Sequence, residues 1–434
     1  MPTIAVVVLA YAAVSRRLEG TIVTAPLVFT GAGLLAGSKA AGLADLDSSG
    51  ETVKLLAEST LAVVLFGDAA RIDLRALWQE RRIPDRLLGI GLPLTIAAGF
   101  FVALLVFGSL EWPEALLLAV VLAPTDAALG QAVVTLPSLP SRVRQGLNVE
   151  SGLNDGICVP IFTVVLAIAS TEAGLISGQH AARLLAEQIG YGVVLGTAAG
   201  ALTAAVVVLA GQRRLIDPAW LQIVPAAGAA LAYTAAVAAG GSGFIAAFVG
   251  GMVFGGLRRR SQAEVGYLIE EVGALLAAAT FVVFGAALLE PSLDHLSWAV
   301  AGYALLSLTI VRMLPVGIAM IGTRARPPTV AFLGWFGPRG LASIVFAVLL
   351  VEEKGTLPHE TVLLTTTFVT IGLSVLLHGV TAAPLARRYA NWFAEHRRPE
   401  TLLVEVGAAP EVRWRRPDTT PSSPSGDVRA DIHA

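Results

Sequence analysis

The stretches LAPTDAALG (122–130) and GWFGPRGLAS (334–343) each place a proline in the middle of a long apolar segment. Pro124 and Pro338 lack a backbone N–H, so each leaves the carbonyl four residues earlier without its helical hydrogen bond. Unpaired backbone at the centre of a membrane is tolerated only where it lines a cavity or is buried in protein. The two stretches therefore predict a pair of interrupted helices around a buried polar site.

The chain around these stretches is strongly apolar. Of its 434 residues, 55% are hydrophobic and only 14% are charged, and the mean hydropathy is +0.73. Soluble domains contain about a quarter charged residues. The net charge of −2 argues against nucleic acid as a partner, and the single cysteine, Cys158, leaves no disulfide framework or thiolate metal site. Composition thus indicates a membrane protein.

Apolar runs of about 20 residues, long enough to cross a bilayer, recur along the chain. The N-terminal MPTIAVVVLAYAAVSRR places its charges after its apolar part, the reverse of a cleaved signal peptide, and is expected to be the first, short span. Thirteen spans are predicted: 3–14, 21–38, 52–70, 87–108, 113–136, 144–169, 184–210, 218–239, 242–257, 266–288, 296–321, 329–351 and 359–385. Residues 387–434, rich in Pro, Ser, Asp and Arg towards their end, are expected to form a largely disordered cytoplasmic tail.

Arginines alternate between the predicted loops. Sixteen of them lie in the odd-numbered loops, whereas the even-numbered loops contain only Lys39, Arg183 and Lys354. Because cytoplasmic loops are enriched in basic residues, the N-terminus is expected outside and the C-terminus in the cytoplasm. An error in the number of spans would have disturbed this alternation.

The two proline-containing stretches lie at matching places in the two halves of the chain. Pro124 and Pro338 are 214 residues apart, and VVLFGDAARIDL (63–74) has an echo in FVVFGAALLEPSL (281–293). Spans one to six are therefore expected to repeat, inverted, as spans eight to thirteen. Inverted repeats with discontinuous helices are typical of secondary transporters, which bind their substrates near the midplane. The predicted fold is an all-α polytopic membrane protein with about thirteen transmembrane helices, of which helices five and twelve are discontinuous.

Ionisable residues within these spans are candidates for function, because a charge at the bilayer centre costs about 2.5–3.5 kcal/mol or more. At 1.5 Å per residue, Asp126, Asp155 and Arg312 lie roughly 16–20 Å from the ends of their spans, near the midplane. Asp68 lies at the cytoplasmic end of its span, as part of a cation-attracting funnel or simply as a helix-end carboxylate. Glu270 and Glu271 are assigned to an interfacial turn.

The stretch VESGLNDG (149–156) concentrates polar residues on one helix. At about 100° per residue, Ser151 and Asp155 lie about 40° apart, whereas Glu150 and Asp155 lie about 140° apart. We therefore expect Ser151 and Asp155 to face a cavity and Glu150 to face a neighbouring helix. Arg312 is the expected partner of Glu150 in a structural ion pair, with ion binding by Glu150 as the alternative.

Five stretches together resemble the cation:proton antiporter-1 family, the NhaP-type sodium/proton exchangers. They are LFGDAARIDL (65–74), APTDA (123–127), ESGLNDG (150–156), TIVRMLP (309–315) and FGPRG (336–340). The resemblance covers residues 1–386, the expected transmembrane antiporter domain, and the tail lies outside it.

The resemblance implies a role for each matching residue. Asp155 would bind the cation or the proton, with Thr125 and Ser151 as further oxygen ligands. Asn154 would stand where electrogenic relatives have a second Asp, which implies electroneutral exchange. Asp126 and Arg339 would stabilise the crossing of the interrupted helices. The resemblance also implies a homodimer and a rocking or elevator-like movement of the ion-binding bundle.

The expected function is exchange of a monovalent cation, most readily Na⁺ or Li⁺, for H⁺ by alternating access in the cell (inner) membrane, with pH homeostasis as a plausible role. One carboxylate that serves both ligands gives one-for-one exchange, and K⁺ is the alternative cation. A cation channel and an intramembrane aspartyl protease are alternative interpretations. The GxGD motif of the protease is absent, since position 65 is Leu. No enzymatic activity, cofactor, organic substrate or nucleic acid is expected, and membrane lipid surrounds the chain.

Overall fold

The computed structural model describes residues 2–18, 20–37, 50–72, 82–126, 138–172, 178–258, 266–352 and 357–396, together with residues 129 and 136. Within these ranges the secondary structure is helical and contains no strand. The expected all-α architecture is confirmed for this part of the chain.

The described residues form fourteen helices. They are α1 (Pro2–Leu18), α2 (Ala25–Ala36), α3 (Glu51–Arg71), α4 (Arg82–Val106), α5 (Trp112–Val121), α6 (Ser141–Glu172), α7 (Gly178–Ala210), α8 (Pro218–Ala238), α9 (Gly243–Arg258), α10 (Tyr267–His295), α11 (Trp298–Ala319), α12 (Pro327–Trp335), α13 (Leu341–Glu352) and α14 (Glu360–Glu395). Helices α4, α7 and α10 contain π-helical turns, and α11 is interrupted at Thr309.

Seven of the described helices are long and apolar enough to cross a membrane, namely α4, α6, α7, α8, α10, α11 and α14. Helices α2, α5, α9 and α13 are shorter apolar helices. The chain is therefore a multi-pass membrane protein. Each predicted span overlaps at least one described helix, and α1 is longer than the short first span expected from hydropathy. Most of residues 127–136, the second half of predicted span five, lies outside the described residues, as do Lys39 and Lys354.

The last helix extends beyond residue 386, where the transmembrane portion was expected to end. Tyr389 and Phe393 are buried near the end of α14, and the ring of Tyr389 stacks on Phe332 of α12 with centroids 4.3 Å apart. The guanidinium of Arg326 lies over the ring of Trp392 at 4.6 Å. These aromatic contacts stabilise the helix where local composition suggested a tail. Residues 397–434 lie outside the described part of the chain.

A helix ends before the first proline-containing stretch, and the second stretch separates two helices. Helix α5 ends at Val121, and residues 122–126 are not helical. Helix α12 ends at Trp335, residues 336–340 are not helical, and α13 begins at Leu341. Helix α6 packs against α5, and α14 packs against α11 and α13. The two long helices α6 and α14 thus stand beside the two interruptions.

Helix α9 packs closely between α3 and α7 through glycines. A Cβ atom on Gly251 or Gly255 would overlap the backbone of α3, at Phe66 and Ala70 respectively. On the α7 side, a Cβ atom on Gly200 would overlap the backbone of Gly250. Small residues let helix backbones approach one another in membranes, where dispersion contacts drive association.

Gly255→Ala should lower the midpoint of thermal unfolding in detergent, because overpacking a tight contact costs about 1–3 kcal/mol. Gly256→Ala is the matched control, since a Cβ atom there has open space in the same helix. The control should leave the midpoint unchanged or slightly raised through its better helix propensity. Equal midpoints for the two variants would show that the close packing of α9 on α3 does not limit stability.

Candidate functional site

The two interrupted stretches contact each other directly. The backbone N–H of Asp126 donates to the carbonyl of Pro338 at 2.8 Å. One hydrogen bond therefore joins residues that neither helix could pair internally, because both stretches have left the helical conformation. This hydrogen bond holds the two non-helical stretches of the chain together.

Two charged side chains lie at helix ends beside this contact. Arg339 Nη1 donates to the carbonyl of Ala123 at 2.8 Å, just beyond the end of α5. Asp126 Oδ2 accepts the backbone N–H of Leu341 at 2.9 Å, at the start of α13. A cation at a helix C-terminus and an anion at a helix N-terminus are both favoured by the helix dipole. Each interrupted helix thus supplies the charge that the end of the other requires.

Helix α6 brings Ser151 and Asn154 onto the first interruption. Ser151 Oγ donates to the carbonyl of Thr125 at 2.5 Å, and Asn154 Nδ2 donates to Thr125 Oγ1 at 2.6 Å. All three side chains are buried. The Asn154 amide nitrogen donates to Thr125, and the amide oxygen Oδ1 can only accept. Asn154 Oδ1 makes no hydrogen bond to a described residue.

Asp155 lies one residue further along α6 and is only 8% exposed. Its Oδ1 makes no hydrogen bond within the described residues. It interacts electrostatically with the carboxylates of Asp126 and Asp68. A buried carboxylate oxygen without a partner is costly unless it is protonated or bound to a cation. Asp155 is thus the group around which a ligand would complete the site.

The oxygens near Asp155 suit a particular class of ion. Carboxylate, hydroxyl and carbonyl oxygens favour hard cations over transition metals. Among the described residues, no three His, Cys, Asp or Glu side chains are grouped as a metal site would require. The donor set is therefore suited to a hard cation.

Glu150 and Arg312 form a buried ion pair between α6 and α11. Arg312 Nη1 lies 2.6 Å from Glu150 Oε1, and Nη2 donates to Oε2 at 2.9 Å, with both side chains 2% exposed. A Cβ atom on Gly337 would overlap the Arg312 guanidinium, so the ion pair also lies against the second interruption. Bidentate geometry of this kind fixes the orientation of both side chains.

Asp68 lies at the end of α3 together with Arg71, which also contacts α10. Arg71 Nη2 lies 2.7 Å from Glu270 Oε1, whereas Arg71 Nη1 lies 4.0 Å from Asp68 Oδ1. Glu270 is in the first turn of α10, where the sequence had suggested an interfacial turn. All three side chains are partly exposed and form a charged cluster, the candidate mouth, beside α6, where Gly152 approaches Asp68.

Two further polar contacts were not foreseen from the sequence. Ser374 and His378 of α14 hydrogen-bond to the backbone of the second interruption. Near the starts of α5 and α14, Glu114 Oε1 accepts the N–H of His359 at 2.9 Å, and Glu114 Oε2 lies 2.8 Å from His359 Nδ1. The available signal was polar residues at four-residue spacing in an apolar helix, Thr366, Thr370, Ser374 and His378.

The fold and the site together define a class. Two interrupted helices cross within a bundle of apolar helices, and a buried carboxylate lies beside the crossing, which is the architecture of secondary transporters. Residues 4–388 match the family model described as sodium/hydrogen exchanger, transmembrane. The chain therefore belongs to the sodium/hydrogen exchanger family.

Relatives of known name agree with this assignment. The chain is 26% identical over 372 residues to the K⁺/H⁺ antiporter NhaP2 of Shewanella oneidensis, an alignment that covers 83% of this chain and 62% of that protein. It is 29% identical over 358 residues to the Na⁺/H⁺ antiporter NhaP of Pseudomonas aeruginosa, covering 76% of this chain and 79% of that protein. The chain thus spans less than two thirds of the length of the NhaP2 relative.

A solved structure shares the fold. The sodium proton antiporter MjNhaP1 from Methanocaldococcus jannaschii superposes with a TM-score of 0.72 at 21% identity, covering 87% of this chain and 96% of the other. The expected all-α polytopic fold class is confirmed by this match. The named relatives are transporters and not enzymes.

Glu150→Gln should lower the midpoint of thermal unfolding in detergent by several degrees, because removing one partner of a buried ion pair costs about 3–5 kcal/mol. Glu271→Gln is the matched control, since Glu271 is exposed on α10 and should melt like the wild type. The double variant Glu150→Gln/Arg312→Gln should lose less than the sum of the single variants. An unchanged midpoint for Glu150→Gln would indicate that Glu150 binds ions instead.

Proposed function

We propose that this chain exchanges a monovalent cation, Na⁺ or Li⁺, for H⁺, one for one, with Asp155 as the group that binds both. The observation that carries the proposal is the buried Asp155 carboxylate, whose Oδ1 makes no hydrogen bond to a described residue, beside the crossing of the interrupted helices. Membership of the sodium/hydrogen exchanger family supports it.

Exchange follows from competition for one carboxylate. The protonated carboxylic acid is neutral, and the carboxylate with a bound Na⁺ is also neutral overall. Binding of the cation releases one proton, and loss of the cation allows one proton to return. If the site changes sides only when it is neutral, each cation moved one way is matched by one proton moved the other way. A pH difference of one unit then supplies about 1.4 kcal/mol per proton.

The neighbours of Asp155 support this division of roles. Ser151 and Thr125 supply hydroxyl oxygens next to the carboxylate, and Asn154 supplies an uncharged amide oxygen. Because Asn154 carries no charge, the site gains no second proton or second positive charge during exchange. Asp126 and Arg339 hold the crossing, and Pro124 and Pro338 keep it from closing into helices.

Potassium is the second candidate cation. The relative NhaP2 of Shewanella oneidensis is named a K⁺/H⁺ antiporter, whereas NhaP of Pseudomonas aeruginosa is named a Na⁺/H⁺ antiporter. Oxygen ligands accept Na⁺, Li⁺ and K⁺ alike. Reconstitution into proteoliposomes with a pH-sensitive dye inside, followed by addition of Na⁺, Li⁺, K⁺ or Rb⁺, identifies the cation by the pH change that each produces.

We also propose the surroundings in which exchange occurs. The protein would lie in the cell (inner) membrane. The alternation of arginines supports an N-terminus on the outside and a C-terminus in the cytoplasm. A homodimer would anchor one helix bundle while the bundle with the crossing rocks or slides against it. Salt export and pH homeostasis are the physiological roles that such exchange would serve.

Asp155→Asn should abolish the cation-dependent pH change in everted vesicles and in proteoliposomes, because the amide neither releases a proton nor neutralises a cation. Asp85→Asn is the matched control, since Asp85 is exposed on α4 and should leave exchange unchanged. The melting midpoint of Asp155→Asn should stay near or above that of the wild type, because a buried charge has been removed. Exchange retained by Asp155→Asn would overturn the site assignment.

Asp68→Asn should raise the cation concentration for half-maximal exchange by about threefold at low ionic strength, because a carboxylate at the mouth concentrates cations. The difference from wild type should shrink in 1 M choline chloride, where the Debye length falls to about 3 Å. Glu51→Gln, an exposed change at the other end of α3, is the control and should behave like the wild type. A salt-independent effect would assign Asp68 a role as a helix-end carboxylate.

A further inference from the structure

The second interruption separates a backbone donor from its helical acceptor. In a continuous helix, the N–H of Arg339 would donate to the carbonyl of Trp335. Helix α12 ends at Trp335 and residues 336–340 are not helical, so this bond is absent. The Trp335 carbonyl accepts the N–H of Gly337 at 2.9 Å within the interruption, so the group that loses its helical partner is the N–H of Arg339, a buried residue. An unpaired buried backbone donor costs about 1–3 kcal/mol, so this N–H needs a partner from outside its own chain segment.

Two side chains on consecutive turns of α14 contact the two sides of the interruption. The N–H of Arg339 donates to Ser374 Oγ at 2.7 Å, and His378 Nε2 lies 3.0 Å from the carbonyl oxygen of Trp335. Ser374 and His378 are four residues apart, so they lie on the same face of α14. Ser374 is fully buried and His378 is 1% exposed. Ser374 thus replaces the helical acceptor of the Arg339 N–H, and His378 adds a contact to the Trp335 carbonyl beside the one from Gly337.

Each ring nitrogen of His378 lies 3.0 Å from a carbonyl oxygen, Nε2 from that of Trp335 and Nδ1 from that of Ser374. Nδ1 also lies 3.2 Å from Ser374 Oγ. In the tautomer with the proton on Nε2, His378 donates to Trp335, and Nδ1 accepts from the Ser374 hydroxyl, which itself accepts from Arg339. In this tautomer a continuous chain of hydrogen bonds runs from the Arg339 N–H through Ser374 and His378 to Trp335.

This chain holds the segment that the candidate ion site rests on. The Pro338 carbonyl, next to the Arg339 N–H, accepts the Asp126 N–H, and the Arg339 side chain donates to Ala123. Thr125, between these two contacts, receives the hydrogen bonds of Ser151 and Asn154. A shift of Arg339 would therefore move Thr125 and Asp126 relative to α6 and to Asp155.

We propose that Ser374 and His378 are positioning residues for cation exchange, which set the geometry of the Asp155 site by bridging the interrupted helix from α14. The inference rests on the proposed exchange at Asp155. It differs from a general packing role, because the two side chains bind backbone groups on either side of the interruption, and those groups lie next to the crossing. Loss of either bond should loosen the site before it loosens the fold.

Helix α14 offers a matched control on the same helix pair. Trp335 Nε1 donates to Thr381 Oγ1 at 3.0 Å, one turn from His378. This bond joins the same two helices, but it involves the indole side chain and not the interrupted backbone. Thr381→Val removes it while keeping the size of the side chain, so it reports the cost of losing an ordinary contact between α12 and α14.

The experiment compares five forms of the full chain in proteoliposomes: wild type, His378→Phe, His378→Gln, Ser374→Ala and Thr381→Val. For each, the maximal rate and the cation concentration for half-maximal exchange are measured, together with the melting midpoint in detergent. His378→Phe and Ser374→Ala should raise the half-maximal concentration about tenfold, the effect of roughly 1.4 kcal/mol, which lies within the cost of an unpaired buried group. His378→Gln should restore it to within about twofold, since its amide nitrogen can donate from a position close to that of Nε2.

Thr381→Val should lower the melting midpoint without changing the half-maximal concentration. The inference is overturned if His378→Phe and Ser374→Ala keep the wild-type half-maximal concentration, or if Thr381→Val changes it as much as they do. Should His378→Phe not fold, Ser374→Ala and His378→Gln give the same comparison from the other end of the bridge. Wild-type liposomes that exchange no cation would overturn the proposed function and this inference with it, whereas an active wild type with unaffected variants overturns this inference alone.

Discussion

The structure depends on one constraint, which is that peptide groups exposed in the middle of a membrane-spanning helix must find partners within the protein. Water is absent from the bilayer core, and each unsatisfied group there costs several kcal/mol. Residues 122–126 and 336–340 are not helical. The polar side chains around them, from α6, α14 and the interruptions themselves, bind backbone atoms of these two stretches. A large part of the buried polar chemistry therefore serves the backbone first.

This use of side chains explains which carboxylate is left for a ligand. Glu150 is occupied by Arg312, and Asp126 accepts the N–H of Leu341 at the start of α13. Arg339 is directed to the carbonyl of Ala123. Asp155 differs from them, because its Oδ1 has no hydrogen-bond donor among the described residues. Within the described residues, Asp155 Oδ1 is thus the buried carboxylate oxygen that, in the proposed exchange, a proton or a cation would complete.

Much of this arrangement could be predicted from the sequence. Pro124 and Pro338 marked the interruptions, because the loss of a backbone donor follows from the residue type alone. The angle between Glu150 and Asp155 on a helix separated an ion-pairing face from a cavity face, and Arg312 was, with Arg339, a basic residue deep within the predicted spans. The all-helical, multi-pass architecture followed from composition and from the repeated apolar runs.

Other features depended on contacts that no local pattern encodes. Ser374 and His378 are isolated polar residues in an apolar span. By residue type alone they could not be distinguished from the polar groups that such spans tolerate. The end of α14 reads RRYANWFAE, a mixture typical of a tail, yet Tyr389 stacks on Phe332 of α12 and Phe393 is buried. The ion pair of Arg71 with Glu270 joins helices far apart in the chain. Each of these contacts is set by how helices pack and not by the residues next to them.

Both interruptions need hydrogen-bond partners, but different side chains supply them. At the first, α6 contributes Ser151 and Asn154 next to a carboxylate, Asp155. At the second, α14 contributes Ser374 and His378, and no carboxylate of the described residues hydrogen-bonds to Trp335 or to the Arg339 backbone. In the proposed exchange, a second carboxylate here would add a second titrating group and disturb the one-for-one balance at Asp155. The second interruption would then supply constant partners while the first changes its ligand.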